Sequence, residues 1–212
     1  MFKTLIRSPK EITSSKSPVI LMLHGYGSNE ADLFSLTDYF PDNYYIISAR
    51  APFNVQFGGF SWYDIFLDFE NNKISDDQQA WDSVLKLSEF TDDLIEKYNL
   101  DKDNFNLLGF SQGAILSYAL ALNYPEKYHK IMALSGYVNE NIMPVQENVS
   151  KFKKLNFFVS HGKNDDVIPI DVARKTPLYL QAKNVKHIYN EYVMGHTIND
   201  KCLQDLIDWV KH

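Results

Sequence analysis

The stretch Asn104-Phe105-Asn106-Leu107-Leu108-Gly109-Phe110-Ser111-Gln112-Gly113-Ala114-Ile115-Leu116-Ser117-Tyr118-Ala119-Leu120-Ala121-Leu122 decides the fold. Its first five residues read as a strand, and from Ser111 onward it reads as a helix that is apolar almost all round. A helix without a polar face has to lie deep in the protein. Between the two stands the pentapeptide Gly109-Phe110-Ser111-Gln112-Gly113, a G-x-S-x-G sequence. A strand that runs straight into a helix turns too sharply for bulky side chains, so glycines on either side leave the Ser111 hydroxyl exposed at the bend. Asn123-Tyr124-Pro125 stops the helix, because Pro125 cannot donate a backbone bond and restricts the residue before it.

Further short apolar runs fall at residues 19–23, 44–48, 131–134 and 157–159. Several are continuous and not alternating, as expected of strands covered on both faces. Between them lie helical patterns. Ser75 followed by Gln78 resembles a capping box and predicts a helix over 76–98, with Trp81, Val84, Leu85, Ser88, Thr91, Leu94, Ile95 and Tyr98 on its inner face. A last helix starting near Asn199 turns Cys202, Leu203, Leu206, Ile207 and Val210 inward. Residues 171–182 look helical around Pro177, which predicts a kink or two short helices with Pro177 opening the second. Residues 2–22 predict a hairpin adding antiparallel strands. Strands separated by helices imply an α/β domain with a largely parallel sheet, and 212 residues without a linker imply one domain, 1–212.

Composition narrows the function classes. With 21 basic against 27 acidic residues the net charge is -6, which argues against broad attraction to nucleic acid. No apolar run approaches bilayer-spanning length, so no stable membrane insertion is expected. The only cysteine, Cys202, rules out an internal disulfide, fits a cytoplasmic setting and reads as a packing residue. Gly25-Tyr26-Gly27 lacks the lysine and spacing of a phosphate-binding loop, and no zinc-ligand spacing is present, so neither cofactor nor metal is expected. Homo-oligomerisation is left open.

A serine hydroxyl is a poor nucleophile without an adjacent base and a site for the developing oxyanion. In this architecture the chain order is serine, acid, histidine. Of six histidines, His196 in Met194-Gly195-His196-Thr197 lies between strand-like residues 185–192 and the last helix, on a loop able to reach Ser111. His129, His187 and His212 lack such a position. His24 and His161 each follow a strand and precede a glycine, where turn packing explains them. The acid falls in His161-Gly162-Lys163-Asn164-Asp165-Asp166-Val167-Ile168-Pro169, and the residues alone do not separate Asp165 from Asp166.

Taken in order, Leu23-His24-Gly25-Tyr26-Gly27, Ala51-Pro52, Ser61-Trp62-Tyr63-Asp64, Gly109 to Gly113, Leu134-Ser135-Gly136, the His161 segment and Met194-Gly195-His196 resemble the phospholipase/carboxylesterase family, which includes acyl-protein thioesterases. The resemblance covers nearly the whole chain and implies an α/β-hydrolase fold. It implies Ser111 as nucleophile, Asp165 (not its neighbour) as acid, His196 as base, and the backbone N–H groups of Tyr26 and Gln112 as the oxyanion hole. Donors from a turn after an early strand and from a helix start are able to converge on one oxygen.

Residues 53–76 depart from an easy family reading. Seven of the first seventeen are aromatic: Phe53, Phe57, Phe60, Trp62, Tyr63, Phe66 and Phe69. They imply either packing beneath a loop or an acyl-binding wall or partial lid, with Phe57, Phe60, Trp62 and Tyr63 as substrate contacts. The expectation is a serine carboxylesterase acting on small or modest acyl esters. Acyl thioesterase or lysophospholipase activity is the chemical alternative, and a non-catalytic lipid- or protein-binding homologue the alternative of another class.

Overall fold

The computed structural model describes residues 2–12, 14–56, 58–67, 69–70, 73–144 and 149–212, with backbone alone for Lys73 and Val149. In chain order its strands and α-helices are β1 (Thr4–Arg7), β2 (Val19–Leu23), α1 (Ala31–Phe34) and β3 (Tyr45–Ala49). Two small ribbons follow, β4 (Phe53–Asn54) with β5 (Phe60–Ser61) and β6 (Ile65–Leu67) with β7 (Lys73–Ser75). Then come α2 (Asp77–Tyr98), β8 (Phe105–Phe110), α3 (Gln112–Asn123), β9 (Lys130–Leu134), β10 (Asn156–Gly162), α4 (Ile170–Ala173), α5 (Lys175–Ala182), β11 (Lys186–Tyr192) and α6 (Asp200–Lys211).

Seven strands form one sheet in the order β1-β3-β2-β8-β9-β10-β11, parallel throughout except for β1. The period of the strands accounts for the continuous apolar runs. Val19, Leu21 and Leu23 point into a core shared with α2, α3 and α5, while Ile20 and Met22 point into a second core shared with α1 and α6. Alternate residues serve opposite faces, and with helices on both faces no position is left for a polar residue. β8 divides likewise, Leu107 to one face and Leu108 to the other. Residues 112–122 of α3 are all buried, as a helix apolar all round requires.

Four local expectations need correction. Residues 2–22 form no hairpin, because β1 pairs antiparallel with β3. The Arg7 guanidinium donates to the carbonyls of Thr37, Phe40, Pro41 and Tyr44, which ties the end of β1 to the segment leading into β3. The cap of α2 is Asp76, one residue later than expected: its Oδ1 accepts from Gln79 N at 2.9 Å. Gln79 turns its amide to Asp64 and so does not close the box. The inner face of α2 is centred on Val84, Leu87 and Phe90, and Leu85 is exposed. Residues 171–182 fall within two short helices, yet Pro177 occupies the third position of α5 and not its first. A first-turn N–H has no intrahelical acceptor, so proline is tolerated there.

The parallel strands all end at one edge. β2 leads into residues 24–27, β8 into Ser111, β10 into the loop of Asp165, and β11 into the loop of His196. In open α/β sheets this carboxyl edge is where ligands bind.

Candidate active site

The bend after β8 places Ser111 at φ 54°, ψ -116°, a backbone conformation that few side-chain-bearing residues adopt. The neighbouring glycines are dictated by backbone proximity. A Cβ on Gly109 would lie 2.3 Å from Gly113 O, and one on Gly113 would lie 2.0 Å from Leu23 O. Ser111 N donates to Leu134 O at 2.9 Å, and Ser111 O accepts from the N–H groups of Ala114 and Ile115. The turn is thus pinned to β9 on one side and to the start of α3 on the other.

From this fixed point a chain of hydrogen bonds runs outward. Ser111 Oγ lies 2.9 Å from His196 Nε2, and His196 Nδ1 lies 2.7 Å from Asp165 Oδ2. With Nδ1–H donated to the carboxylate, Nε2 carries the lone pair that accepts the serine proton. Asp165 Oδ1 accepts from Val167 N and Ile168 N, each at 2.9 Å. Burial pushes the Asp165 carboxyl up, but the Ile168 N–H, His196 and the Val167 N–H outweigh it and hold its pKa below the ordinary value. Asp166 faces solvent. Of the two acids left open by the residues alone, Asp165 is the one hydrogen-bonded to His196.

The acid and histidine loops are joined to one another. Asn164 N donates to Met194 O at 3.1 Å, and a Cβ on Gly162 would strike Gly195 O at 2.3 Å, so glycine is needed where the loops touch. His161 braces the acid loop from behind. Its Nε2 donates to Ile168 O at 2.8 Å and lies 3.3 Å from Asp165 Oδ2, while among the described residues its buried Nδ1 has no partner. His24 braces the opposite turn: Nε2 accepts from Ala51 N at 3.0 Å, leaving Nδ1–H to donate to Gly25 O at 2.7 Å. Both histidines pack turns, and neither lies on the serine hydroxyl.

Gln112 opens α3, where an N–H has no intrahelical acceptor. Tyr26 lies in a turn held by Gly27 N on Phe60 O and Ser28 N on Gly25 O, and among the described residues nothing accepts its own N–H. The Tyr26 ring is exposed. Gly25 stands against Ser111 closely enough that a Cβ there would come within 3.3 Å of the serine Cβ.

The aromatic segment differs from its expected role. Trp62 and Tyr63 are buried in the α2 core. They are removed from the substrate surface, because their backbone and ring atoms are committed inward. Gln112 Oε1 accepts from Trp62 N at 2.8 Å, Gln112 Nε2 donates to Tyr63 O at 2.7 Å, and Trp62 Nε1 donates to His24 O at 2.9 Å. Phe60 lies under the Arg50 guanidinium and lines a groove of about 520 Å³ with Phe2 and Phe90, which none of Ser111, Asp165 and His196 lines. Phe57 lies outside the described residues.

A second groove, of about 340 Å³, does adjoin His196. Leu33, Leu36, Phe110 and Ile198 line it, with Asp32, Ser35 and Thr197. None of these was singled out from the sequence. Their only signal is adjacency: Phe110 precedes Ser111, Thr197 and Ile198 follow His196, and α1 follows the Tyr26 turn. The clamp made by the Gln112 side chain was also missed, since the backbone reading of that residue left its amide unassigned.

Among the described residues no group of three His, Cys, Asp or Glu side chains is disposed to hold a metal ion, and no helix is long and apolar enough to cross a membrane. Cys202 is buried, donates to Ser160 Oγ at 3.3 Å and has its thiol pKa pushed up by burial to about 11.

The chain is 29% identical to an acyl-protein thioesterase 1 of Candida albicans, over all of this chain and 98% of the other. It is 26% identical to a probable carboxylesterase of Oryza sativa subsp. japonica, over 98% of this chain and 82% of that one. The structure superimposes on a Bacillus cereus carboxylesterase with a TM-score of 0.85 at 21% identity, covering 100% and 94% of the two chains, a likeness of fold. The Phospholipase/Carboxylesterase family model matches residues 6–212, and the chain belongs to that family.

Proposed function

We propose that the protein is a serine carboxylesterase that hydrolyses small or modest acyl esters through an acyl-enzyme. The observation that carries this reading is the bonded series from Ser111 Oγ through His196 to Asp165 on a strained turn. His196 Nε2 takes the Ser111 proton as Oγ attacks the carbonyl carbon. The N–H groups of Tyr26 and Gln112 receive the charge that develops on the carbonyl oxygen. Nε2–H then protonates the leaving oxygen as the acyl–oxygen bond breaks. Water, losing its proton to the same nitrogen, releases the acid and restores Ser111. Ionised Asp165 stabilises the imidazolium in both halves.

Residues 1–212 act in this reading as one α/β-hydrolase domain, a view supported by one sheet that gathers strands from residue 4 to residue 192. Within the aromatic-rich segment 53–76, Trp62 and Tyr63 act as a packed wall beside the serine turn and not as a lid, a reading supported by the Gln112 clamp on their backbone. The substrate is a small acyl ester, with neither nucleic acid nor stable membrane insertion involved. A cytoplasmic setting suits a chain whose single thiol is buried.

Thioester hydrolysis is the second reading, favoured by the end-to-end similarity to a protein named acyl-protein thioesterase. Ser111→Ala tests the first: it keeps the fold by far-UV circular dichroism and loses about 10⁴-fold or more of short-ester turnover. Turnover at the wild-type rate in the folded variant contradicts it. Matched oxygen and thiol esters of one acyl group then rank the two readings by kcat/KM.

A further inference from the structure

The groove beside His196 has a chemistry of its own. Its floor is apolar, with Leu33 nearly fully buried and Leu36, Phe110 and Ile198 half-buried. Among the described residues its lining carries one carboxylate, Asp32, and no lysine or arginine. Asp32 is not a loose surface charge. Ser28 Oγ donates to its Oδ2 at 2.6 Å, and Ser28 is itself tied to the Tyr26 turn through Gly25 O. Among the described residues no basic side chain pairs with Asp32. The Phe110 ring packs against the imidazole, 5.0 Å between centroids, and lines the same groove.

The position assigns the groove to one half of the substrate. In the acyl-transfer step Ser111 Oγ bonds to the carbonyl carbon, and the bond from that carbon to the leaving atom breaks. The leaving atom departs with the bond pair and takes the proton from His196 Nε2, so it must lie against the imidazole. The geometry points to this groove as a leaving-group subsite for alcohols or thiols that carry an apolar stem and a cationic end, with Asp32 as the residue that selects charge. An aromatic ring and a carboxylate lining one groove are two features that recognise an alkylammonium. An anionic leaving group meets the same carboxylate with no cation to offset it.

This inference rests on the proposed serine mechanism, and the test separates the two. Three butyrate esters are compared by kcat/KM from titration of released butyric acid: choline (cationic), 3,3-dimethylbutanol (its neutral isostere) and 2-hydroxyethanesulfonate (anionic). Intrinsic leaving-group reactivity cancels when variant and wild-type ratios are compared. At low ionic strength Asp32→Asn reduces the cationic-to-anionic ratio about tenfold, attraction and repulsion each contributing about threefold. Asp32→Lys reduces it further, and salt compresses the wild-type ratio. Asp38→Asn, an exposed charge outside the groove, keeps the wild-type ratio. An Asp32→Asn ratio within twofold of wild type, with Ser111→Ala inactive on all three esters, overturns the subsite alone. A folded Ser111→Ala that hydrolyses the neutral ester like wild type overturns the mechanism beneath it.

Discussion

The serine turn at residues 109–113 holds its shape through backbone contacts that no side chain can replace, whereas the described part of the aromatic segment within 53–76 takes its shape from its neighbours. At the turn, Gly109 and Gly113 stand where a single Cβ would collide with a carbonyl. Along the aromatic segment, Trp62 and Tyr63 are buried because Gln112, His24 and Ser83 bond their polar atoms. A few residues on, Phe66, Leu67 and Ile74 lie exposed on the β6–β7 ribbon and Phe69 is wholly exposed beyond β6. One segment of aromatic composition therefore holds two physical situations. Aromatic density does not make a substrate pocket; the burial of each ring depends on which partners meet its backbone.

Substitutions in the two regions sharpen that contrast. The largest effect is expected at the acid loop. Asp165→Asn keeps the shape of the site but gives the wrong histidine tautomer, and kcat falls about 10³–10⁴-fold, while Asp166→Asn stays near wild type. Steady-state kinetics on both variants checks this, and a reversed ranking would break the assignment. Trp62→Ala removes a fully buried indole and costs about 3–5 kcal/mol by urea denaturation. Phe69→Ser, in the same segment, stays within about 0.5 kcal/mol. Equal losses at the two positions would show that the segment behaves as one packed unit.

Gln112→Ala follows. It leaves the Trp62 N–H and the Tyr63 carbonyl buried without partners, each costing about 1–3 kcal/mol, while the Gln112 backbone donor stays in place. Stability should therefore fall more steeply than kcat for a short ester, and a collapse of kcat at full stability would assign the amide to chemistry instead.

A smaller effect with a defined pH window belongs to Glu30. Its buried carboxylate accepts from Arg50 Nε and a terminal guanidinium nitrogen at 2.5 and 2.6 Å and pairs with Lys3 at 3.4 Å, linking the chain after the Tyr26 turn to β1 and the end of β3. The Arg50 bond, against the opposing effect of burial, lowers its pKa from 4.5 to about 2. A depressed folded-state pKa gives stability that is full above pH 4.5 and is lost as the pH falls through about 2. Glu30→Gln should thus lower stability by about 2 kcal/mol at pH 7, with the difference from wild type shrinking below pH 4. A difference independent of pH would assign the loss to packing.

The sheet was legible because each of its strands with apolar residues on both faces announces itself locally, as at residues 19–23 and 105–108. The serine turn was legible because its glycines, strand and helix are contiguous. The partner of β1 was not, since strand pairing is a long-range choice and here follows Arg7 reaching four distant carbonyls. The inner face of α2 slipped toward Leu85 because leucines stand at both 85 and 87, and Ala80 and Ser83, buried on the true face, add little to the apolar period. The groove beside His196 went unseen for a related reason. Leu36, Phe110 and Ile198 come from three separate stretches of chain, and only folding brings them to one groove.

The central claim is that Ser111, activated through His196 and Asp165, forms the covalent intermediate. Its most direct test is labelling with a fluorophosphonate, in which an activated serine oxygen bonds to phosphorus and displaces fluoride, followed by mass spectrometry of the intact chain and its peptides. The account predicts one adduct per chain, located on Ser111, formed in step with loss of esterase activity and absent from His196→Ala. Esterase activity that survives stoichiometric labelling of Ser111, or an adduct that inactivates from another residue, would contradict it.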